Sequence, residues 1–425
     1  MGWPRQAYSA ALHLAAPLIW RRLRREHALT DPRPLRLGRI PETPSDVRML
    51  WLHCASVGEV QAARPLIDAL LARYPGHALT VTTMTATGAE RLRALAEGRG
   101  DGRLAHRFVP LDFPRAAARF VERLRPELAL FFETELWPNL LHACRRGGIP
   151  VAVVNGRLSE RALDGYRRLR PLMREALGGV DWLAAKSAED AARFAELGMP
   201  ASRTTVVGSL KFDVAADDEA LGVSKRLRRQ LGRRHVWVAG STHEGEEAQI
   251  LAAHALVRRR YPEALLVLVP RHPQRFDEVA SLCERLGQAT VRRSQGRPPR
   301  DATSVYLADT MGELTALYGA ADLAFVGGSL VPVGGHNLLE PAAQGVPVLS
   351  GPELANFADV AAVLRAADAL VEAPDGEGLG EALIRLFADP AECHRLGEAG
   401  RGVVAANRGA LVKTLEGLGT LLAAK

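Results

Sequence analysis

Short apolar runs alternate with longer stretches of helical periodicity along most of the chain, and this alternation predicts parallel α/β sheets. The first half contains seven predicted strands: MLWLHC, HALTVTTM, AHRFVP, ELALFFE, IPVAVVN, DWLAAK and TTVVG. A polar stretch at 214–234 follows, after which the pattern restarts with HVWVAG, ALLVLVP, TSVYLAD, DLAFVGG and VPVLSG. We therefore predict two Rossmann-like domains, residues 31–213 and 214–425, that face each other across a cleft at the carboxyl ends of their strands. The last helical stretch, from about Pro390, is a candidate for packing back on the first domain.

An amino-terminal segment, residues 1–30, precedes the first domain. Its residues 7–20, AYSAALHLAAPLIW, are mostly apolar but fall short of the roughly 20 residues that span a bilayer, although the stretch from Met1 to Trp20 could just reach. A cleaved signal peptide carries its charge before the apolar run, whereas here four arginines follow it: Arg21, Arg22, Arg24 and Arg25. We expect a membrane anchor or an interfacial helix, with the rest of the chain in the cytoplasm. The alternative is a soluble helix packed on the domain.

The amino-acid composition of the chain limits which classes of ligand or partner are expected. Lys and Arg outnumber Asp and Glu by 55 to 48 among 425 residues, a net charge of +7 that favours an anionic ligand or surface. Only 5% of residues are aromatic, and no basic stretch is interleaved with aromatics, so nucleic acid is not an expected partner. The four cysteines are far apart and form no C-x-x-C pair, which indicates a reducing compartment rather than a disulfide framework or zinc knuckle.

In the first half, the stretch HCASVGEVQAARPL places Glu59 where a predicted strand turns into its helix. Ser56 and Glu59 fit the S-x-x-E capping box, in which the two side chains satisfy each other's main-chain amides. A carboxylate at this edge of a sheet could equally act as a general base. Glu133 and Glu135 lie just beyond the apolar run of another predicted strand, ELALFFE. The alternative to a functional role, for one of them, is that its charge complements the dipole of a helix that begins there.

The most distinctive stretch of the second half is FVGGSLVPVGGHNLLEPAAQG, in which an apolar strand runs into two glycine pairs and then a helix predicted to begin near His336 and Asn337. Glycines let the main chain approach a ligand, and a helix start offers N–H groups to an anion such as a nucleotide phosphate. Glu340, one turn later, could accept hydrogen bonds from ribose hydroxyls. The alternative is a glycine loop with an ordinary helix cap.

Charged residues, histidines and a glycine also follow other predicted strands. Three lie in the second half: Arg271 and His272 in VPRHP, Met311 to Glu313 in DTMGEL, and His243 within the S-x-x-E pattern of GSTHEGEE. Near the domain junction, GSLKFD supplies Lys211 and Asp213. No D-x-D, H-E-x-x-H, Walker A or G-x-S-x-G motif is present, so we expect chemistry without a metal ion or cofactor.

These motifs together resemble one known family. ASVGEV, ETELWPN, NGRLS, GSLKFD, GSTHEGEE, PRHPQRF, DTMGEL and GGSLVPVGGHNLLEPAAQG are similar, in this order, to the motifs of the 3-deoxy-D-manno-octulosonic acid (Kdo) transferases of lipopolysaccharide synthesis. The resemblance extends from the amino terminus to about residue 352. It implies a GT-B glycosyltransferase at the cytoplasmic face of the inner membrane, with an acceptor domain followed by a donor domain. The implied reaction moves Kdo from CMP-Kdo to a lipid A precursor.

The resemblance also implies roles for individual residues. Glu59 matches the family's proton acceptor, and Glu133 and Lys211 match positions that stabilise the transition state. The implied CMP-binding residues are Pro270, Arg271, Met311, Gly312, Glu313, Asn337, Leu338, Leu339 and Glu340. From the residues alone, two other functions stay open: a nucleotide-sugar epimerase, which would act without an acceptor, and a non-catalytic nucleotide or lipid sensor.

Overall fold

The computed structural model describes residues 2–25, 33–213 and 218–423, without the side chains of residues 22, 24, 25 and 218–221. The predicted anionic-lipid contacts of Arg22, Arg24 and Arg25 therefore lie outside the described side chains, as does the start of the polar stretch at 214–217. The chain divides into two compact units. The first comprises Met1–Asp213 and Arg408–Lys425, and the second comprises Val214–Asn407.

Each unit contains a seven-stranded, entirely parallel sheet. The strands of the first are β1 (Arg48–His53), β2 (His77–Thr83), β3 (Leu104–Phe108), β4 (Leu128–Phe132), β5 (Val151–Gly156), β6 (Trp182–Ala185) and β7 (Thr204–Val206), in the order β3-β2-β1-β4-β5-β6-β7. Those of the second are β8 (Val236–Thr242), β9 (Leu265–Pro270), β10 (Thr290–Arg292), β11 (Val305–Leu307), β12 (Leu323–Val326), β13 (Val348–Ser350) and β14 (Leu370–Glu372), in the order β10-β11-β9-β8-β12-β13-β14.

Helices connect the strands. In the first unit these are α1 (Trp3–Arg25), α2 (Arg33–Arg36), α3 (Val57–Arg73), α4 (Ala86–Arg99), α5 (Pro114–Leu124), α6 (Pro138–Arg146), α7 (Glu160–Arg167), α8 (Arg170–Leu177) and α9 (Ala188–Leu197). The second unit has α10 (Asp218–Leu231), α11 (Glu247–Arg260), α12 (Phe276–Arg285), α13 (Leu314–Tyr318), α14 (Leu339–Ala343), α15 (Ala358–Ala366), α16 (Gly376–Ala388) and α17 (Pro390–Asn407). The last helix, α18 (Ala410–Ala423), belongs to the first unit.

The predicted α/β fold class is confirmed, and all twelve predicted strands are present. The central strands, such as β4, β5, β8 and β9, read as continuous apolar runs because both of their faces are covered. In β1, for example, Trp51 packs into one core of the first unit while Leu50 and Leu52 pack into the other. The second sheet has two further strands, β10 and β14. Both lie at sheet edges and are three residues long, and neither contains a fully buried residue.

Two segments outside the sheets are anchored by buried polar contacts. The Pro-rich connector contains α2, where the fully buried guanidinium of Arg36 donates to the carbonyl oxygens of Met84 and Val109 at 2.7 and 3.3 Å. At the other end of the chain, the carboxylate of Asp213 accepts the main-chain N–H groups of Gly409 and Leu411 at 2.7 and 2.6 Å. Asp213 thus holds the first turn of α18.

Helix α1 packs against α6 and α8 of the first unit. Leu23 of α1 is buried in a small apolar cluster with Leu111 and Phe113. Three large apolar side chains of α1 face solvent instead: Trp3 is 72% exposed, Leu14 is 84% exposed and Leu18 is 67% exposed. Among the residues that the structure describes, no helix is both long enough and apolar enough to cross a membrane.

Candidate functional site

In both sheets the strand order reverses next to the first strand, between β1 and β4 in the first unit and between β8 and β12 in the second. Open α/β sheets bind ligands at such a switch point, outside the carboxyl ends of the strands. The segments that follow these four strands contain Glu59, Glu133, Glu246 and His336. Each unit therefore has its own candidate site.

Glu59 lies in the first turn of α3, directly after β1. The Glu59 N–H donates to Ser56 Oγ at 3.3 Å, which confirms the first half of the predicted capping box, but the Glu59 carboxylate accepts the Ser56 hydroxyl at 3.2 Å rather than the Ser56 N–H. The carboxylate also accepts the N–H of Ala55 at 2.8 Å. Burial raises the pKa of Glu59 to about 8, and the charges of Glu135 and Glu133 reinforce this rise against the two hydrogen bonds. A carboxyl group with this pKa can exchange a proton near neutral pH.

Glu135, after β4, is the main charged neighbour of Glu59. Trp137 Nε1 donates to its Oε2 at 2.6 Å, and Nε2 of the fully buried His53 lies 3.5 Å from the same oxygen. Burial alone would raise the pKa of Glu135, but His53 and Trp137 outweigh it and lower that pKa. His53 is itself fixed by Thr82, whose Oγ1 lies 2.9 Å from His53 Nδ1. Glu135 thus stays ionised and disfavours a second charge on Glu59.

Glu133 is held by its main chain at the end of β4. Its φ of 58° lies in the left-handed region, which is uncommon for a residue with a side chain, and its N–H donates to the carbonyl of Val154 at 3.0 Å. A strained main chain of this kind persists where its surroundings over-determine it, and it is common at functional sites. The carboxylate acts electrostatically on Glu59, which places the two groups in one cluster.

Lys211 lies in the short 3₁₀ turn Leu210–Phe212. The turn is fixed on both sides, because Leu210 and Phe212 are buried and the Leu210 N–H donates to Asn155 Oδ1 at 3.2 Å. Asn155 is the penultimate residue of β5, the neighbour of β4, and the turn packs against α3, the helix that carries Glu59. The structure therefore brings the turn of Lys211 to the same edge of the sheet as Glu59 and Glu133.

In the second unit, the switch point is organised by Glu246, a residue that the sequence analysis did not select. Its carboxylate is fully buried and accepts the N–H groups of Gly328, Ser329 and Leu330 at 2.7, 2.9 and 2.9 Å. It also accepts the N–H of His243 at 3.0 Å. Glu246 thereby ties the loop after β8 to the loop after β12.

This arrangement accounts for the partners of the loop amides. The amides of Gly327, Gly328 and Gly335 donate to acceptors within the protein rather than to a ligand. The S-x-x-E pattern at Ser241 and Glu244 does not cap a helix, because α11 begins only at Glu247. Close packing explains the glycines: a Cβ at Gly327 would lie 2.8 Å from the Ser241 carbonyl oxygen, and one at Gly328 would lie 2.9 Å from the His336 ring.

Three histidines meet beside this loop. The Nε2 atoms of His243 and His336 lie 2.7 Å apart in nearly parallel rings, and His272 lies edge-on to His243 with a centroid distance of 5.1 Å. At that separation one Nε2 carries a proton and the other accepts it. Burial lowers the pKa of His336 to about 4, helped by the charges of His243 and Arg271. Burial also lowers the pKa of His243.

Of the residues implied to bind CMP, Pro270 ends β9, and the N–H of Arg271 donates to the Thr242 carbonyl at 3.0 Å, which joins the ends of β9 and β8. The Arg271 charge acts on both His336 and Glu340. Burial raises the pKa of Glu340, while Asn337 and Arg271 oppose that rise. Arg271, His336 and Glu340 therefore lie in one electrostatic cluster.

The segment from Asn337 to Glu340 begins α14, which starts at Leu339 rather than near His336 and Asn337 as predicted. Asn337 caps the helix: its Oδ1 accepts the Leu339 N–H at 3.2 Å, and its Nδ2 donates to Glu340 Oε1 at 3.1 Å. The side chains of Leu338 and Leu339 are fully buried. Only their main chain can therefore contact a ligand.

The segment from Met311 to Glu313 lies after β11, the neighbour of β9. Gly312 has a φ of 85°, and Met311 is 62% exposed. Arg293 donates to the two carboxylate oxygens of Glu313 at 2.6 and 2.5 Å and lowers its pKa. Because the Glu313 side chain is bound to Arg293, the loop offers a ligand its main chain and Met311. Helix α13 packs against α14, so this loop neighbours the Asn337 segment.

Among the described residues, no three His, Cys, Asp or Glu side chains are grouped so that they could hold a metal ion. The groups that sequence reasoning missed are Glu246, His53 and the His243–His336 pairing. Glu246 carries a weak signal, since it follows a strand end within GSTHEGEE, but nothing in the sequence shows which amides it binds. His53 reads as the last residue of a buried strand.

Comparisons with known proteins support the resemblance. Residues 33–214 match the model of the 3-deoxy-D-manno-octulosonic-acid transferase (kdotransferase) family, and residues 235–403 match that of glycosyl transferases group 1. The chain is 41% identical over 426 residues to 3-deoxy-D-manno-octulosonic acid transferase of Bordetella pertussis, covering 97% of this chain and 98% of the relative. It is 39% identical to the enzyme of that name from Haemophilus influenzae, covering 86% of each.

Among solved structures, UDP-GlcNAc 2-epimerase of Neisseria meningitidis bound to UDP-GlcNAc is similar with a TM-score of 0.54 over 88% of this chain and 99% of the epimerase. Its sequence is 15% identical, so the likeness is one of fold. The two parallel sheets and the group 1 match confirm the predicted GT-B class. Since the identity to transferases extends over nearly the whole chain, the chain belongs to the 3-deoxy-D-manno-octulosonic acid transferase family and is a glycosyltransferase.

Proposed function

We propose that this enzyme transfers Kdo from CMP-Kdo to a hydroxyl group of a lipid A precursor in lipopolysaccharide synthesis, without a metal ion and with Glu59 as the general base. One observation carries the proposal: Glu59 lies at the switch point of the first sheet with a pKa raised to about 8 by burial and by two neighbouring carboxylates. The family of the chain supports the donor sugar and the class of acceptor.

The chemistry needs a base because a sugar hydroxyl is a poor nucleophile. As the acceptor oxygen forms its bond to the anomeric carbon of Kdo, its proton passes to the Glu59 carboxylate. The bond between that carbon and the CMP phosphate oxygen breaks, and CMP leaves with the electron pair. Hydrogen bonds from Ala55 and Ser56 orient the carboxylate while leaving it basic enough to take the proton.

Glu133 and Lys211 are the proposed transition-state stabilisers. A negative carboxylate at Glu133 favours positive charge that develops on the sugar, and the ammonium group of Lys211 favours negative charge that develops on the departing phosphate. Both are held by the main chain rather than by flexible loops, Glu133 through Val154 and the Lys211 turn through Asn155. Fixed charges of this kind need little reorganisation as the reaction proceeds.

The donor is proposed to bind to the second unit. Arg271 supplies the positive charge for the CMP phosphate, and Pro270 and the Met311 to Glu313 loop border it. The segment from Asn337 to Leu339 would contribute main-chain groups, and Glu340 would accept ribose hydroxyls. Because Gly327 and Gly328 already donate their amides to the Gly240 carbonyl and to Glu246, we assign the phosphate to Arg271 rather than to those glycines.

Helix α1 is proposed to rest on the cytoplasmic face of the inner membrane. Its exposed apolar side chains, Trp3, Leu14 and Leu18, would enter the headgroup region, with the exposed Arg21 near anionic lipid. Lipid binding would be measured by sedimentation with liposomes that contain or lack anionic lipid. Unchanged recovery of the protein in the supernatant of both would contradict this part of the proposal.

The experiment that tests the function incubates the purified chain with CMP-Kdo and a lipid A precursor in detergent, with EDTA present. Mass spectrometry of the lipid and quantification of CMP should show one CMP released per Kdo added. CMP-Kdo alone serves as the control for epimerase or hydrolase activity. A changed donor without acceptor would favour the epimerase alternative, and binding of CMP without any turnover would favour the sensor.

A further inference from the structure

A pocket of about 270 Å³ lies next to the carboxylate cluster of the first unit. Its lining residues are Tyr8, Thr134, Glu135, Leu136, Trp137 and Tyr166. Four of these follow β4 directly, one is on α7, and Tyr8 comes from the amino-terminal helix α1. None of the proposed catalytic or CMP-binding residues lines it.

The composition of the wall favours a sugar ring. Indole and phenol rings pack against the C–H faces of sugars, while the Glu135 carboxylate and the Thr134 hydroxyl can bond to sugar hydroxyls. The volume is close to the lower end of the roughly 300–1,000 Å³ of small-molecule sites, which suits one sugar ring rather than a whole nucleotide sugar. The charge of Glu135 also disfavours the nucleotide sugar as the ligand, because an ionised Glu135 repels the phosphate and the carboxylate of the donor.

The position of the pocket favours the acceptor, rather than the donor, as its ligand. Glu135 follows β4, Glu59 follows the neighbouring β1, and the charge of Glu135 acts directly on Glu59. A ring bound against Glu135 and Trp137 is therefore beside the base that we propose for the acceptor hydroxyl.

Helix α1 is fixed here by a buried polar network. The Tyr8 hydroxyl donates to the buried carboxylate of Asp112, which also accepts the N–H groups of Asn139 and Leu140 at 3.0 and 2.8 Å. From α1 itself, Arg5 donates to Asn139 Oδ1 at 3.1 Å.

The Ser9 hydroxyl is 3.2 Å from the same Asn139 oxygen, and Arg5 also pairs with Glu175 at 3.5 Å. A helix that served only to contact lipid would need no buried hydrogen bonds to Asp112, which precedes α5, and to Asn139, which lies in the first turn of α6 after the segment that carries Glu135. The network instead sets the position of Tyr8 in the pocket wall.

We infer that this pocket binds the hydroxylated sugar ring of the acceptor and that α1 is part of the acceptor site through Tyr8. The inference rests on the proposed transferase function and adds a subsite to it. It assigns α1 a second role besides contact with lipid.

The test measures steady-state kinetics of Tyr166→Ala, Tyr8→Ala and the matched control Tyr74→Ala with acceptor in detergent micelles. Tyr74 lies in the same unit at the end of α3 and does not line the pocket. We expect the two pocket variants to raise the KM for the acceptor about tenfold, with the KM for CMP-Kdo unchanged. The control should match the wild type in both constants.

Tyr166 keeps the test decisive if Tyr8→Ala fails to fold, because Tyr166 is on α7 and cannot act through contact of α1 with lipid. Unchanged acceptor KM in Tyr166→Ala, or an equal rise in the KM for CMP-Kdo, would overturn the inference. A wild-type enzyme that transfers no Kdo would contradict the proposed function itself, and the two failures are therefore distinguishable.

Discussion

Ser56 and Glu59 exchange hydrogen bonds across the first turn of α3, with the hydroxyl of one donating to the carboxylate of the other at 3.2 Å and the amide returning a bond at 3.3 Å. A capping carboxylate is usually exposed and ionised, but Glu59 is partly buried beside Glu133 and Glu135, and its pKa is raised to about 8. The Glu59 side chain therefore both caps α3 and has a pKa suited to a general base.

The rate of transfer should depend on pH through Glu59. Because the proposed base must be ionised and its pKa is about 8, we expect kcat/KM to rise about tenfold per pH unit below that value and to level above it. The profile would be measured from pH 6 to 9.5 with acceptor in micelles. A rate that is flat across this range would contradict a base with a raised pKa.

The stability of the folded protein should also depend on pH through Glu59, but it should fall as the pH rises, whereas the rate increases. The folded pKa of Glu59 is above its unfolded value of about 4.5, so between these values the folded state binds more protons and loses stability as the pH rises. Glutamine does not titrate. We therefore expect the Tm of the wild type to fall relative to that of Glu59→Gln between pH 5 and pH 8.5, as measured by calorimetry. A constant difference in Tm would mean that the pKa of Glu59 is not raised.

Glu246 should be required for the donor site. Alanine would leave four main-chain donors without their acceptor, and each of the two buried ones, Gly328 and Ser329, costs about 1–3 kcal/mol if it stays unsatisfied. We expect Glu246→Ala to lower the Tm and weaken CMP binding at least tenfold by calorimetric titration, with Glu246→Gln intermediate. Glu244→Gln, a change at a nearby exposed carboxylate, is the control. Wild-type CMP affinity in Glu246→Ala would show that the loop is held in another way.

The histidine pair should make the second unit sensitive to acid. The folded pKa of His336 is about 4, below its unfolded value of about 6.5, so the unfolded state gains protons first as the pH falls between them. We expect the Tm of the wild type to fall between pH 7 and pH 5, and to fall less in His336→Asn. The comparison needs thermal unfolding of both proteins across that range. Equal pH dependence would contradict the role of His336.

The fold could be predicted because its determinants are local. Strands such as β4 and β5 are buried on both faces, so apolar runs like LALFF mark them without knowledge of their neighbours. The edge strands β10 and β14 are not predicted because TVR and LVE each end in a charged side chain after two residues and contain no fully buried residue, so neither gives such a run.

The site was only partly predictable because amide partners depend on tertiary contacts. The glycine pairs after β12 indicate anion binding, yet the Gly328 amide donates to Glu246, 82 residues earlier in the chain, and the Gly327 and Gly335 amides donate to the carbonyls of Gly240 and Gly328. The residues that line the pocket are likewise brought together only by tertiary contacts. Nothing in the apolar segment AYSAALHLAAPLIW distinguishes Tyr8, which reaches Asp112, from the residues that face solvent.

The most direct test of Glu59 as the base compares Glu59→Gln with Asp190→Asn. Asp190 forms an equivalent capping arrangement with Ser187 at the start of α9, where its N–H donates to Ser187 Oγ at 3.0 Å. Asparagine and glutamine can still cap a helix but cannot accept a proton near neutral pH. We predict that Glu59→Gln reduces kcat for Kdo transfer by about 10²–10⁴-fold with no loss of Tm at pH 7, whereas Asp190→Asn alters stability more than rate. Transfer by Glu59→Gln at a rate close to that of the wild type would contradict the assignment and make Glu59 a helix cap alone.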